Sequence, residues 1–160
     1  MSDTRPRGST RSTAFIKASP EAVYRAFTEP DALVTWFAPG ALTASLHRFD
    51  LRVGGGYEMS LHYPDSEQGA PGKTTAREDR YAARFVELTP PSRIVQTIVF
   101  DAADPAFSGE MTMTVTLAPA EGGTLVTIAF DGIPPGIRPE DNERGTEETL
   151  ANLARFVAQR

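Results

Sequence analysis

The chain has no cysteine, only two histidines and a single tryptophan among its 160 residues. Without cysteine there can be no disulfide, no thiolate metal ligand and no cysteine nucleophile. The two histidines, His47 and His62, have no further histidine at ligand spacing, so no metal site and no cofactor is expected. Basic residues are also scarce, 16 against 21 acidic, for a net charge of −5. That balance argues against nucleic acid, which needs a basic face to neutralise phosphates. No apolar run approaches the roughly 20 residues of a membrane span. The arginines near the N-terminus have no apolar segment behind them, so neither membrane insertion nor a secretory signal is expected. A cytoplasmic location follows by default.

What is present suits one folded domain. A composition of 40% hydrophobic and 23% charged residues supports a single core. The polar, basic start, residues 1–12, reads as a disordered leader, and residues 13–160 as one domain. Thr13–Lys17 reads as a strand with Phe15 between polar neighbours. Ser19 is placed as an N-cap with Pro20 at the first helical position. Pro30 then divides the helical stretch, leaving a second short helix over Asp31–Phe37 that ends at Pro39-Gly40. From Leu42 onward the punctuation is that of hairpins, predicting strands at Thr43–Val53, Tyr57–Tyr63, Arg80–Leu88, Arg93–Phe100, Gly109–Leu117 and Thr124–Phe130. Pro64–Thr75 reads as a polar loop tip. A long helix closes the chain from Pro139, with an apolar stripe at Leu150, Leu153, Phe156 and Val157 and acidic residues at its start. Its internal Gly145 costs about 1 kcal/mol relative to alanine, which asks for a packing or access reason. The class is α+β, a bent antiparallel sheet wrapped around a long C-terminal helix.

The order strand, two short helices, six strands, long helix is that of the helix-grip fold. Ser19–Pro39 (SPEAVYRAFTEPDALVTWFAP) resembles the START-like (SRPBCC) superfamily. The branch is the one similar to the C-terminal domain of the activator of the heat-shock-protein-90 ATPase. Phe49–Tyr63 resembles its Asp-x-Arg-Val-Gly-Gly turn, Ala83–Phe100 its Pro-Pro turn between strands, and Gly123–Ile137 its last strand and exit loop. The chain departs from the pattern twice. Phe130 stands where the last strand often carries a polar residue, commonly His. Gly145-Thr146 stands where relatives often have Gly-Trp, which removes a ring from the inward helix face. Either Phe130 refills that space or the cavity there is larger.

No convincing catalytic set emerges. His62 shares a strand face with Glu58, which reads more simply as a solvent-facing edge than as a metal or proton-transfer pair. Arg84, Glu87, Glu110 and Asp131 are acid–base types with no sequence sign of burial. Ser60, Ser92 and Ser108 lack a nucleophile motif. Gly54-Gly55-Gly56 is a hairpin glycine run, since no Lys-Ser/Thr and no helix follow it. The remaining candidates are Trp36, Tyr57, Met59, Phe85, Met111, Met113, Thr146 and Leu150, joined by Phe130. Each is core by default, and together they suit the walls of a cavity for an apolar or aromatic molecule.

The resemblance thus implies non-catalytic binding of a small hydrophobic ligand between sheet and helix. Two alternatives stand behind it. A polyketide cyclase- or dehydratase-like enzyme would need an inward-facing Glu58, His62, Arg84 or Asp131. A co-chaperone-like interaction role ranks last, because Hsp90 activators carry an additional N-terminal domain that 160 residues do not accommodate. A homodimer through an exposed strand or the outer helix face is compatible with the sequence.

Overall fold

Ser19 starts the helical part of the chain as its side chain predicts. Its Oγ accepts from the Ala22 amide at 3.1 Å, and α1 runs Pro20–Thr28. A proline at the first helical position also opens α2, Pro30–Trp36. These elements belong to a computed structural model that describes residues 7–64, 78–102 and 104–158. The predicted loop tip Pro64–Thr75 lies, after Pro64, outside the described residues, as do residues 1–6 of the leader.

Seven strands form one antiparallel sheet. They are β1 (Gly8–Ile16), β2 (Thr43–Asp50), β3 (Gly56–His62), β4 (Glu78–Thr89), β5 (Arg93–Phe100), β6 (Glu110–Ala120) and β7 (Gly123–Ile133). Their order across the sheet is β1-β7-β6-β5-β4-β3-β2, so β2 to β7 follow one another as hairpins and β1 returns to pair with β7. The long helix α3 spans Pro139–Ala158. Among the described residues, no helix is long and apolar enough to cross a membrane.

Two expectations at the N-terminal end change. Residues 8–12, read as leader, belong to β1, where Ser12 is buried and pairs with Ile128. Gly8 to Ser12 shows no apolar alternation because β1 is recruited by its partner, whose free edge it completes. Phe15 faces outward at 45% exposure, and Ile16 enters the core instead.

The core lies between the inward face of the sheet and the three helices. Strand alternation supplies Met111, Met113, Val115 and Leu117 from β6 and Val126, Ile128 and Phe130 from β7. The helices contribute Val23, Phe27, Leu33, Trp36, Leu150 and Leu153. At the turn before β3, Gly54 has φ +87°, and a side chain on Gly56 would come within 1.9 Å of the Ala83 carbonyl. The glycine run is there for backbone geometry.

Candidate functional site

A cavity of about 180 Å³ lies between one end of the sheet and the first half of α3. On the helix side its wall includes Asn142, Gly145, Thr146 and Thr149, which recur at the three- and four-residue spacing of a single helix face. On the sheet side strand alternation brings in four cross-strand pairs. They are Leu61 with Asp79, Tyr81 with Phe100, Ile98 with Met111, and Met113 with Phe130. Phe37 and Pro39, just after α2, close one side, and Ile137 closes another.

Gly145 is open space at this wall: a β-carbon there would meet nothing within 4 Å. Neighbouring polar groups are already engaged. Thr146 donates to the Asn142 carbonyl at 2.8 Å, and Thr149 donates to the Phe37 carbonyl at 3.1 Å. Asn152, one turn on, donates to the Ala38 carbonyl at 2.8 Å, so α3 is pinned to the segment after α2.

Of the residues singled out from sequence, Met111, Met113, Phe130 and Thr146 stand in the wall. The other five stand elsewhere. Trp36 is locked between the two short helices, its indole donating to the Ala26 carbonyl at 2.9 Å and its ring edge-on to Phe27. Tyr57, Met59 and Phe85 share the inward face but stand outside the wall, Met59 beside it as the cross-strand partner of Tyr81 and Phe85 further along β4, and Leu150 is buried core. Tyr57 accepts from buried Gln96 at 2.8 Å, and Tyr81 donates toward the Met59 sulfur at 3.2 Å. Burial pushes the Tyr57 phenol up, opposed by its hydrogen bonds to Gln96 and Tyr81. Burial pushes Tyr81 higher still, helped by the neighbouring Tyr57.

Sequence reading missed Asp79. It is 1% exposed, stands in the cavity wall, and accepts from the Tyr63 hydroxyl at 2.9 Å. With the strand expected to start at Arg80, Asp79 reads as loop. The available signal was its position two residues before Tyr81, which puts both on one face.

The acid–base candidates all face away from the cavity. Arg84 and Asp131 are exposed. Glu58 pairs with Arg48 at 3.2 Å and with Arg80 at 3.5 Å, and the Arg48 hydrogen bond holds its carboxyl below the usual range. Glu87 pairs with Arg93. His62 meets Ser45 across the strands at 2.9 Å.

Alternation from Ser45 puts His47 on the same outer face, where its Nε2 lies 2.8 Å from the Ser60 hydroxyl, and a bulge in β2 between Leu46 and Arg48 brings Arg48 to that face as well. That hydroxyl donates to the Glu78 carboxylate. A hydroxyl has one proton, so His47 must donate to Ser60 rather than take its proton. This polarity is the reverse of a serine nucleophile with its base. The cluster is therefore a hydrogen-bonded network around buried Ser60, and no metal-holding group occurs among the described residues.

A second hollow, of about 360 Å³, lies between α2, the start of β2 and the end of α3. Its wall carries Asn152 and Arg155, which bond to each other.

The family model described as activator of Hsp90 ATPase homolog 1-like protein matches residues 17–158. Among solved structures, a protein of Chromobacterium violaceum is 34% identical with a TM-score of 0.80, over 93% of this chain and 96% of that one. An AHSA1-like protein from Aeromonas hydrophila superposes with a TM-score of 0.72 at 23% identity, over 95% of this chain and 93% of that one. A protein from Rhodobacter sphaeroides gives 0.75 at 22% identity, over 94% and 92%. No curated protein matches the chain.

Proposed function

The chain belongs to the activator of Hsp90 ATPase homolog 1-like family, and from this premise we propose that it binds a small apolar or aromatic molecule, without catalysis, in the cavity under α3. The observation that carries this reading is the cavity, walled by Met111, Met113, Ile128 and Phe130 and opened at Gly145. Its size sets the class of ligand. An apolar cavity of about 150 Å³ accommodates benzene, whereas drug-sized molecules occupy roughly 300–1,000 Å³. At about 180 Å³ the space suits a single ring or a short branched chain. Methionines on one wall adapt to such a body, and aromatic rings give it a flat face.

The enzymatic alternative finds no support in the four residues it required, because none of Glu58, His62, Arg84 and Asp131 faces the cavity. Toluene tests the binding reading. Titrated into ¹⁵N-labelled protein, it should give saturable amide shifts centred on Gly145, Thr146 and Met113. Shifts that never saturate, or that gather on the outer face, would sink it.

A further inference from the structure

Asn142 stands half-buried near the start of α3, in the cavity wall and one turn before the open position at Gly145. Its carboxamide carries one acceptor oxygen and two N–H donors. Thr10 uses the oxygen, donating its hydroxyl to Asn142 Oδ1 at 2.6 Å from a strand position directly opposite Phe130 of the same wall. The amide nitrogen has no partner among the described residues. Every buried side-chain nitrogen and oxygen among those residues does have one, so Asn142 Nδ2 must border open space rather than packed side chains. Asn142 lines the cavity, and the Thr10 bond fixes which end of its amide is left over. Other polar side chains of the wall are already engaged. Thr146 and Thr149 donate to backbone carbonyls, Asp79 receives the Tyr63 hydroxyl, and Tyr81 donates toward the Met59 sulfur.

We propose that Asn142 Nδ2 selects ligands that carry an uncharged hydrogen-bond acceptor on an apolar body, with small aryl ketones and aldehydes as the class. The inference rests on the binding reading above and adds the polarity of the ligand. A donor at an apolar wall favours an acceptor that loses little on leaving water, and a neutral carbonyl loses far less than a charged group. A carboxylate would need a base, and among the described residues no lysine, arginine or histidine lines the cavity. An ammonium brings only donors, which an N–H cannot receive. A hydrocarbon fills the space and leaves the amide unmet.

Acetophenone and isopropylbenzene have nearly the same shape and differ in the carbonyl oxygen. Both are titrated calorimetrically into the unmodified protein, Asn142→Asp and Asn142→Leu. The first variant keeps an acceptor for Thr10 and loses the donor, and the second removes both without adding a charge. In each, the ratio of acetophenone to isopropylbenzene affinity should fall at least about threefold. The carbonyl ¹³C resonance of acetophenone bound to the unmodified protein should lie downfield of its position in cyclohexane, which tests the hydrogen bond even where a variant does not fold. A smaller fall in the ratio, a bound carbonyl at its cyclohexane position, or binding of isopropylbenzene alone overturns the role of Asn142 and leaves the binding reading standing. Binding of neither probe overturns both.

Discussion

Thr146 commits its hydroxyl to the Asn142 carbonyl and leaves a short side chain where a ring could stand. Thr146→Trp should therefore fill the cavity and weaken toluene binding by at least about tenfold. The amide-shift titration reads the effect, and unchanged affinity would place the ligand elsewhere. The wall was only partly legible in the sequence. Alternation tells which face of a strand a residue occupies, and Tyr57, Met59 and Phe85 do face inward as their pattern implies. It does not tell how far along the sheet a cavity sits. Here the hollow lies at the end holding Leu61, Asp79 and Phe100, while Phe85 pairs with Gln96 toward the other end. Asp79 was hidden for a different reason. A charge beside a polar loop reads as solvent until the strand is extended back past Arg80, which puts Asp79 on the face of Tyr81 and opposite Leu61.

The closing helix was legible nearly to the residue, since its apolar spacing and acidic start are local properties. Thr149 was not, because a buried threonine looks polar until the Phe37 carbonyl that satisfies it is known. No close packing accounts for Gly145, since a β-carbon there would meet nothing within 4 Å, and this has a measurable consequence. Gly145→Ala meets no atom within 4 Å, so it should stabilise the protein by roughly 0.5–1 kcal/mol through helix propensity. Urea denaturation would show a higher midpoint at unchanged slope. A lower midpoint would mean that the β-carbon disturbs the wall. β1 shows the opposite limit: its first residues form a strand for a reason that lies in β7, more than a hundred residues away in sequence. No local pattern could have announced it.

Stability of the molecule against pH carries the mark of its buried phenols. Tyr57 and Tyr81 both titrate above their ordinary value near 10, chiefly because burial disfavours the phenolate. The folded state holds these protons more tightly than the unfolded chain does. Stability is therefore intact below about pH 10 and falls as pH rises through the raised values, by up to about 1.4 kcal/mol per unit for each group. Denaturation curves between about pH 9 and 11 should show this fall, and Tyr81→Phe should flatten it. Equal slopes in the two proteins would overturn the assignment. The pairing of the first strand with the seventh has a further consequence, one of timing. During synthesis β1 emerges early and waits for β7, and α3 follows every strand. Long-range pairings of this kind form slowly. The concave face that becomes the cavity wall is thus the last apolar surface to be covered, exposed to bystanders in the cell until the helix lands.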